Sequence, residues 1–89
     1  MSGTIQDTSV EAIRTWLVGR IAFYLQRPAE EIDTDAPLVE IGLDSVYAMT
    51  LSGDVEERFD LEVEPTMAWD HPNVNALAGY LHGLLGSRG

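Results

Sequence analysis

The sequence of 89 residues contains no cysteine and only five basic residues, and each shortage excludes a class of protein. Without cysteine there is no disulfide framework and no cysteine-ligated zinc site, so apolar packing must stabilise the fold. Fifteen acidic residues give a formal net charge of −10, which disfavours binding to nucleic acid or to an anionic membrane. No apolar run approaches the roughly 18 residues of a membrane span, and the N-terminus does not resemble a signal peptide. We therefore expect a cytoplasmic protein.

Apolar residues are plentiful, at 45% of the chain, which is enough for the core of one small domain. They recur with helical spacing over about residues 8–26, over residues 45–59, and again after Asn73. Thr8 and Glu11 have the spacing of a capping box at the first helix, and Phe23 is predicted to widen its apolar face. Asp44 is a suitable N-cap for the second helix. The pattern predicts three main helices.

The connection over residues 27–44 is long and rich in proline and acidic residues. Isolated apolar residues are predicted to fasten it to the core, namely Ile32, Leu38, Ile41 and Leu43. A short helical turn is predicted at residues 67–69. The fold class is therefore a small all-α four-helix bundle, with three main helices, one short helix and a long loop between the first two helices. We expect the domain to cover residues 8–86, with flexible tails at residues 1–7 and 87–89.

The acidic residues are concentrated in the middle of the chain. Twelve of the fifteen lie between Glu30 and Glu64, where Arg58 is the one basic residue. Such a one-sided patch attracts basic partners and accelerates their association. The alternative is an acidic surface that serves only solubility.

Ser45 is the residue in the sequence with the most distinctive setting. It directly follows an acid, Asp44, at the predicted start of a helix, and Gly42 nearby allows the backbone to turn sharply. The unpaired N–H groups and the positive dipole end of a helix start favour an attached phosphate. The alternative is that Ser45 only caps or begins the helix.

The stretch Gly42-Leu43-Asp44-Ser45, together with residues 56–59 and 69–72 at their spacing, resembles the acyl carrier protein domain of polyketide and fatty acid synthases, in the type I polyketide style. Val46 stands where that family most often has leucine. The resemblance implies that Ser45 carries phosphopantetheine, which a phosphopantetheinyl transferase attaches from coenzyme A with magnesium. The thiol of that group then carries acyl or polyketide intermediates as thioesters, and the domain itself catalyses nothing.

The resemblance also implies weak contacts with the transferase and with synthase enzymes such as a ketosynthase or an acyltransferase. The residues predicted to make these contacts are Asp44, Val46, Met49, Glu56 and Glu57. For Met49 the alternative is a core position, because methionine often fills irregular gaps. We expect the domain to be a monomer and to hold no metal.

Two other functions are considered for the chain. A peptidyl or aryl carrier of nonribosomal peptide assembly has the same fold and chemistry, but its motif usually has a second glycine where this chain has Leu43. An acidic helical interaction domain would have no prosthetic group. A serine hydrolase is disfavoured, since the sequence shows neither the strands nor the Gly-x-Ser-x-Gly elbow of that fold.

Overall fold

The computed structural model describes residues 9–88 of the chain. In this range there are five α-helices, α1 (Val10–Leu25), α2 (Leu38–Ile41), α3 (Ser45–Phe59), α4 (Met67–Asp70) and α5 (Val74–Arg88), with a 3₁₀ turn at Ala29–Glu31. No strand occurs among these described residues. The predicted all-α bundle of three long helices and one short helix is confirmed. A second single-turn helix, α2, lies in the segment for which the sequence predicts a long loop.

The bounds of the long helices follow from local capping chemistry. Ser9 caps α1, because its hydroxyl accepts a hydrogen bond from the backbone N–H of Ala12 at 3.2 Å. Thr8, the predicted cap, lies outside the described residues. Helix α5 continues to Arg88, so the backbone of residues 87 and 88 is helical where the sequence predicts a tail. No proline follows Leu85 to stop the helix, and a glycine near a helix end adds little strain.

The core is formed by one face of each long helix and by three side chains of the long connection. The fully buried positions include Ile13, Leu17 and Ile21 of α1, Ala48, Leu51 and Val55 of α3, and Leu77, Ala78 and Leu81 of α5. From the connection, Ile32, Leu38 and Leu43 are buried, as predicted, whereas Ile41 is half-buried. The connection is therefore part of the packed domain.

Two aromatic residues occupy positions that the periodicity does not predict. Phe23 is 75% exposed, so the prediction that it widens the buried face of α1 is wrong. Tyr47 is 2% exposed and belongs to the core. The helices that pack against a helix decide which of its faces is buried. Tyr47 lies on the buried face of α3, whereas Phe23 lies on the outer face of α1.

Helices α1 and α3 run antiparallel. The Tyr24 and Tyr47 rings stack with their centroids 3.7 Å apart. The Arg20 guanidinium contacts the Asp54 carboxylate at 3.1 Å, and the Trp16 ring packs edge-on against Phe59 with centroids 5.2 Å apart. Residue numbers fall along α1 as they rise along α3. The C-terminal end of α1 therefore lies beside the start of α3.

The long connection is also held by the polar side chain of Asn75, in the first turn of α5. Its amide nitrogen donates to the Thr34 hydroxyl at 3.2 Å and to the Asp35 carboxylate at 2.6 Å. Its amide oxygen accepts from the Arg14 side chain at 2.8 Å, and its backbone N–H donates to the Thr34 carbonyl at 3.1 Å. One residue thus joins α1, α5 and the connection.

Candidate functional site at the start of α3

The turn that leads into α3 depends on Gly42. Its φ of +122° is a backbone conformation that side chains rarely allow. A Cβ atom at this position would also lie 2.9 Å from Cδ2 of Leu25, the last residue of α1. The glycine therefore allows both the turn and the close approach of the end of α1 to the start of α3.

Asp44 is the N-cap of α3, as predicted. Its backbone is extended, and its carboxylate accepts a hydrogen bond from the backbone N–H of Tyr47 at 2.8 Å. Its carbonyl accepts from the N–H of Ala48 at 2.8 Å, which starts the helical pattern. The capping function is thus fulfilled one residue before Ser45.

Ser45 is the first residue of α3, and its side chain is exposed. Its hydroxyl makes no hydrogen bond to any residue that the structure describes. Asp44 is the cap, so the alternative that Ser45 caps the helix is wrong, whereas the alternative that Ser45 begins the helix agrees with its place as the first residue of α3. The first turn of a helix presents backbone N–H groups without intrahelical acceptors, together with the positive end of the helix dipole. The Ser45 hydroxyl is therefore accessible and is carried by a helix start whose position is fixed.

Tyr47 helps to fix the position of this helix start. Its ring is stacked on Tyr24, and its buried hydroxyl has no hydrogen-bond partner among residues 9–88. Burial raises the pKa of Tyr47 far above its ordinary value, with a smaller opposing influence from Arg20. Its hydroxyl therefore stays neutral over the working pH range and supplies neither a base nor a proton acceptor for Ser45.

Of the residues predicted to contact partners, Val46 and Met49 lie beside Ser45 on the exposed face of α3. They are 68% and 64% exposed, so the alternative that Met49 fills the core is wrong. Their spacing of three residues places them on the same face of the helix. Two apolar side chains thus adjoin the serine.

Glu56 and Glu57 lie at the other end of α3, about 16 Å from Ser45 along the helix axis. Glu57 is exposed, whereas the half-buried Glu56 accepts a hydrogen bond from the N–H of Val63 at 3.0 Å and so holds the chain that leaves the helix. The structure therefore does not bring these two carboxylates to the serine. Their part in partner contacts stays a prediction.

Two surface clefts of the described residues lie away from Ser45. One of about 260 Å³, between α1 and α3, is lined by Trp16, Arg20, Asp54, Glu57 and Arg58. The other, of about 550 Å³, is lined by Glu56, Glu62, Val63, Glu64 and Tyr80. The described residues also contain no group of three side chains suited to hold a metal ion, and none of their helices has the length and apolarity needed to cross a membrane. Ser45 thus lies on an open surface.

Sequence reasoning missed the contribution of Asn75 and the exposure of Phe23. One feature of the sequence indicates a role for Asn75. A polar side chain at the second position of a helix can form hydrogen bonds with a loop that precedes the helix. Its partners are about forty residues away in sequence, and no local pattern indicates them.

The comparisons with known proteins agree with this geometry. Residues 15–81 match the protein family described as Phosphopantetheine attachment site. A phenolphthiocerol/phthiocerol polyketide synthase polypeptide of Mycobacterium tuberculosis is 43% identical over 61 residues, which cover 68% of this chain and 3% of that protein. 6-Methylsalicylic acid synthase of Penicillium expansum is 35% identical over 68 residues, which cover 76% of this chain and 4% of that protein. The chain thus spans only a small part of the length of these synthases.

A solved structure shows the same fold. The crystal structure of a free-standing peptidyl carrier protein from a secondary metabolic pathway of Acinetobacter baumannii has a TM-score of 0.85 at 37% identity, and the match covers 89% of this chain and 99% of that one. An interaction domain without a prosthetic group does not account for these matches. The chain therefore belongs to the phosphopantetheine attachment site family and is a carrier protein domain, whose prosthetic group is a covalently attached phosphopantetheine.

Proposed function

We propose that Ser45 is the attachment residue and that the domain carries acyl or polyketide intermediates as thioesters between the enzymes of a synthase. The observation that carries this proposal is the exposed Ser45 hydroxyl, which makes no hydrogen bond to the described residues and stands on a helix start fixed by Asp44. The residues fit the prosthetic group, because the first turn of α3 favours the phosphate charge that attachment brings.

Attachment is a phosphoryl transfer at the Ser45 oxygen. The hydroxyl gives its proton to a base of the phosphopantetheinyl transferase, and its oxygen bonds to the phosphorus that bears the pantetheine arm of coenzyme A. The bond from that phosphorus to the bridging oxygen breaks, and adenosine 3′,5′-bisphosphate leaves. Magnesium on the transferase would neutralise the diphosphate. The carrier contributes position and access.

The domain itself is proposed to catalyse no reaction. Its partners are proposed to be the transferase and synthase enzymes such as a ketosynthase or an acyltransferase. Asp44, Val46 and Met49 lie beside Ser45 and would contact these enzymes directly, whereas Glu56 and Glu57 would attract basic surfaces from a distance. We further propose a monomeric, cytoplasmic domain over residues 8–86.

Intact-mass spectrometry tests the attachment. The apo chain is incubated with coenzyme A, magnesium and a broad-specificity phosphopantetheinyl transferase, and we expect a gain of one phosphopantetheine that maps to Ser45. Ser45→Ala should gain nothing. The proposal is overturned if the label maps to another residue, or if the chain gains nothing while the same transferase loads a known carrier.

A peptidyl carrier is the second candidate, because the Acinetobacter baumannii structure is a peptidyl carrier by its description. The relative in Mycobacterium tuberculosis is a polyketide synthase by its name, which favours acyl cargo. The holo chain offered to an acyltransferase with malonyl coenzyme A and to amino-acid-activating enzymes separates the two. Acylation with malonate supports the acyl carrier, and aminoacylation alone would assign the chain to peptide assembly.

A further inference from the structure

Phe23 of α1 has the highest fractional exposure among the exposed large hydrophobic side chains of the described residues, at 75%. Its ring is not loose, since the Arg20 guanidinium lies 5.5 Å from the ring centroid, at a cation–π distance. Arg20 is itself held by Asp54 of α3 at 3.1 Å. The aromatic ring is therefore presented to solvent in a position that α3 helps to fix.

Helix geometry places Phe23 on the same outer surface as the exposed face of α3. Trp16, Arg20 and Tyr24 follow one another at intervals of four residues and face α3, as their contacts show. The 100° step per residue puts Phe23 next to this row, on the side away from the buried Leu17 and Ile21.

The corresponding positions on α3 are Val46 and Thr50. Tyr47 and Asp54 face α1, and the same 100° step puts Val46 and Thr50 next to them, on the side away from the buried Leu51. Because α1 and α3 run antiparallel, Phe23 lies across from Thr50 and within about one helical turn of Val46. Two exposed apolar side chains, Phe23 and Val46, thus share one surface near Ser45, whereas Met49 lies beyond Val46 on the side of α3 away from α1.

We propose that the docking surface of this carrier crosses from α3 onto α1, with Phe23 as an apolar anchor beside Val46, and that its occupant is the phosphopantetheinyl transferase, through a face with an apolar centre and a basic rim. This inference rests on the proposed attachment at Ser45. The transferase is the partner whose position is most constrained, because its reacting groups must touch the Ser45 oxygen. Other synthase enzymes react with the thiol at the end of the arm, so their position against the carrier surface is less constrained.

The charges around this surface indicate the chemistry of the occupant. Glu40 and Asp44 lie on the side of the α2–α3 turn, and Glu57 lies further along α3, whereas Asp54 is already paired with Arg20. A partner that covers the apolar centre therefore meets carboxylates at both sides and needs basic side chains at its rim. A second copy of this chain is disfavoured, since each copy carries a net charge of −10.

Steady-state loading kinetics test the proposal, with the apo chain, coenzyme A and a broad-specificity phosphopantetheinyl transferase. For Phe23→Ser we expect KM for the carrier to rise about tenfold, which corresponds to about 1.4 kcal/mol of binding free energy, with kcat unchanged. Phe23→Leu, which keeps an apolar anchor, should stay close to the wild type. Thr15→Ala is the control for α1, because Thr15 is exposed and lies about 12 Å further from the start of α3.

Two charged substitutions at Phe23 test whether the rim of the partner is basic. Phe23→Arg should raise KM more than Phe23→Glu, because an arginine would face basic side chains. Equal effects would overturn the basic rim, and an unchanged KM for Phe23→Ser would overturn the docking surface. A stable dimer in sedimentation velocity that Phe23→Ser dissolves would assign the surface to a second copy and also overturn the proposal. Absence of loading in the wild-type chain, by contrast, would contradict the attachment site itself.

Discussion

The two ends of the α1–α3 pair are built from similar parts but differ in what they expose. At each end an aromatic pair joins the helices, stacked for Tyr24 and Tyr47 and edge-on for Trp16 and Phe59. At each end a side chain caps a helix start, Asp44 at one end and Ser9 at the other. The difference lies in which residue caps the helix. Ser9 caps α1 with its own hydroxyl, whereas Asp44 caps α3 and so leaves the hydroxyl of the next residue, Ser45, accessible.

This difference shows that a serine at a helix start is not a functional site by itself. The Ser9 hydroxyl accepts the N–H of Ala12 and caps α1. The Ser45 hydroxyl has no such task within the described residues, and the end of α1 packs against Gly42 beneath the same helix start. A serine at a helix start has an accessible hydroxyl when another residue caps the helix and packing fixes the position of the helix start.

The largest expected effect comes from deleting the two hydroxyl groups in turn. Ser45→Ala should abolish phosphopantetheine loading, whereas Ser9→Ala should leave loading unchanged and lower the free energy of unfolding by about 1 kcal/mol, because α1 loses its cap. Intact-mass spectrometry and urea unfolding measure the two effects. Loss of loading in Ser9→Ala without loss of folded chain would contradict the distinction between the two ends.

The second prediction compares two glycines, one at the turn before α3 and one inside α3. Gly42→Ala should lower the free energy of unfolding by about 2–4 kcal/mol, because alanine is strained at this φ and its Cβ meets Leu25. Gly53→Ala should raise it by about 0.5–1 kcal/mol, since a Cβ there meets no atom within 4 Å and alanine favours the helix. Urea unfolding measures both. A Gly42→Ala chain as stable as the wild type would show that the turn does not need glycine.

The third prediction compares two asparagines at the start of α5. Asn75→Ala removes the bonds to Thr34, Asp35 and Arg14, whereas Asn73→Ala removes only the cap bond to the N–H of Ala76. Each should cost about 1–2 kcal/mol of stability. Amide exchange separates them, because the Leu38 amide, bonded to the Pro72 carbonyl, should exchange about tenfold faster only in Asn75→Ala, as local opening becomes easier. Equal acceleration in both variants would show that Asn75 does not hold the connection specifically.

The smallest expected effect concerns the buried hydroxyl of Tyr47. Tyr47→Phe should leave the free energy of unfolding at neutral pH unchanged or raise it by up to about 1 kcal/mol, because the hydroxyl has no hydrogen-bond partner in the part of the chain that the structure describes. Burial raises the pKa of Tyr47 in the folded chain, so the unfolded chain loses this proton first as the pH rises. The contribution to stability is fully present below pH about 10 and is lost progressively above it.

Tyr47→Phe should therefore unfold less readily at alkaline pH than the wild type, as followed by circular dichroism in urea between neutral and strongly alkaline pH. Tyr24→Phe keeps Tyr47 and should retain its contribution to the alkaline loss. A steeper alkaline loss in Tyr47→Phe than in the wild type would contradict the assignment.

Much of the fold was predictable because helix periodicity and capping are local. The buried faces of α3 and α5 follow the apolar spacing, and the N-cap at Asp44 and the pins Leu38 and Leu43 lie where the sequence places them. Helix α2 was not predicted, since its four residues are too few for a periodic pattern. The spacing of Phe23 suits a wide apolar face on α1 and so predicts that the side chain is buried. Helix α3 covers only one side of α1, however, and Phe23 lies beyond the covered part.

By itself, the sequence determined the number of the long helices, the bounds of α3, the acid that caps it and the serine that follows, since these depend on neighbours within one helical turn. Only the tertiary structure decided that the Ser45 hydroxyl is accessible, that Met49 is exposed, and that Phe23 of α1 shares the surface of α3. These properties depend on how the helices pack, and the contacts that set the packing join residues twenty or more positions apart, such as Tyr24 with Tyr47 and Arg14 with Asn75.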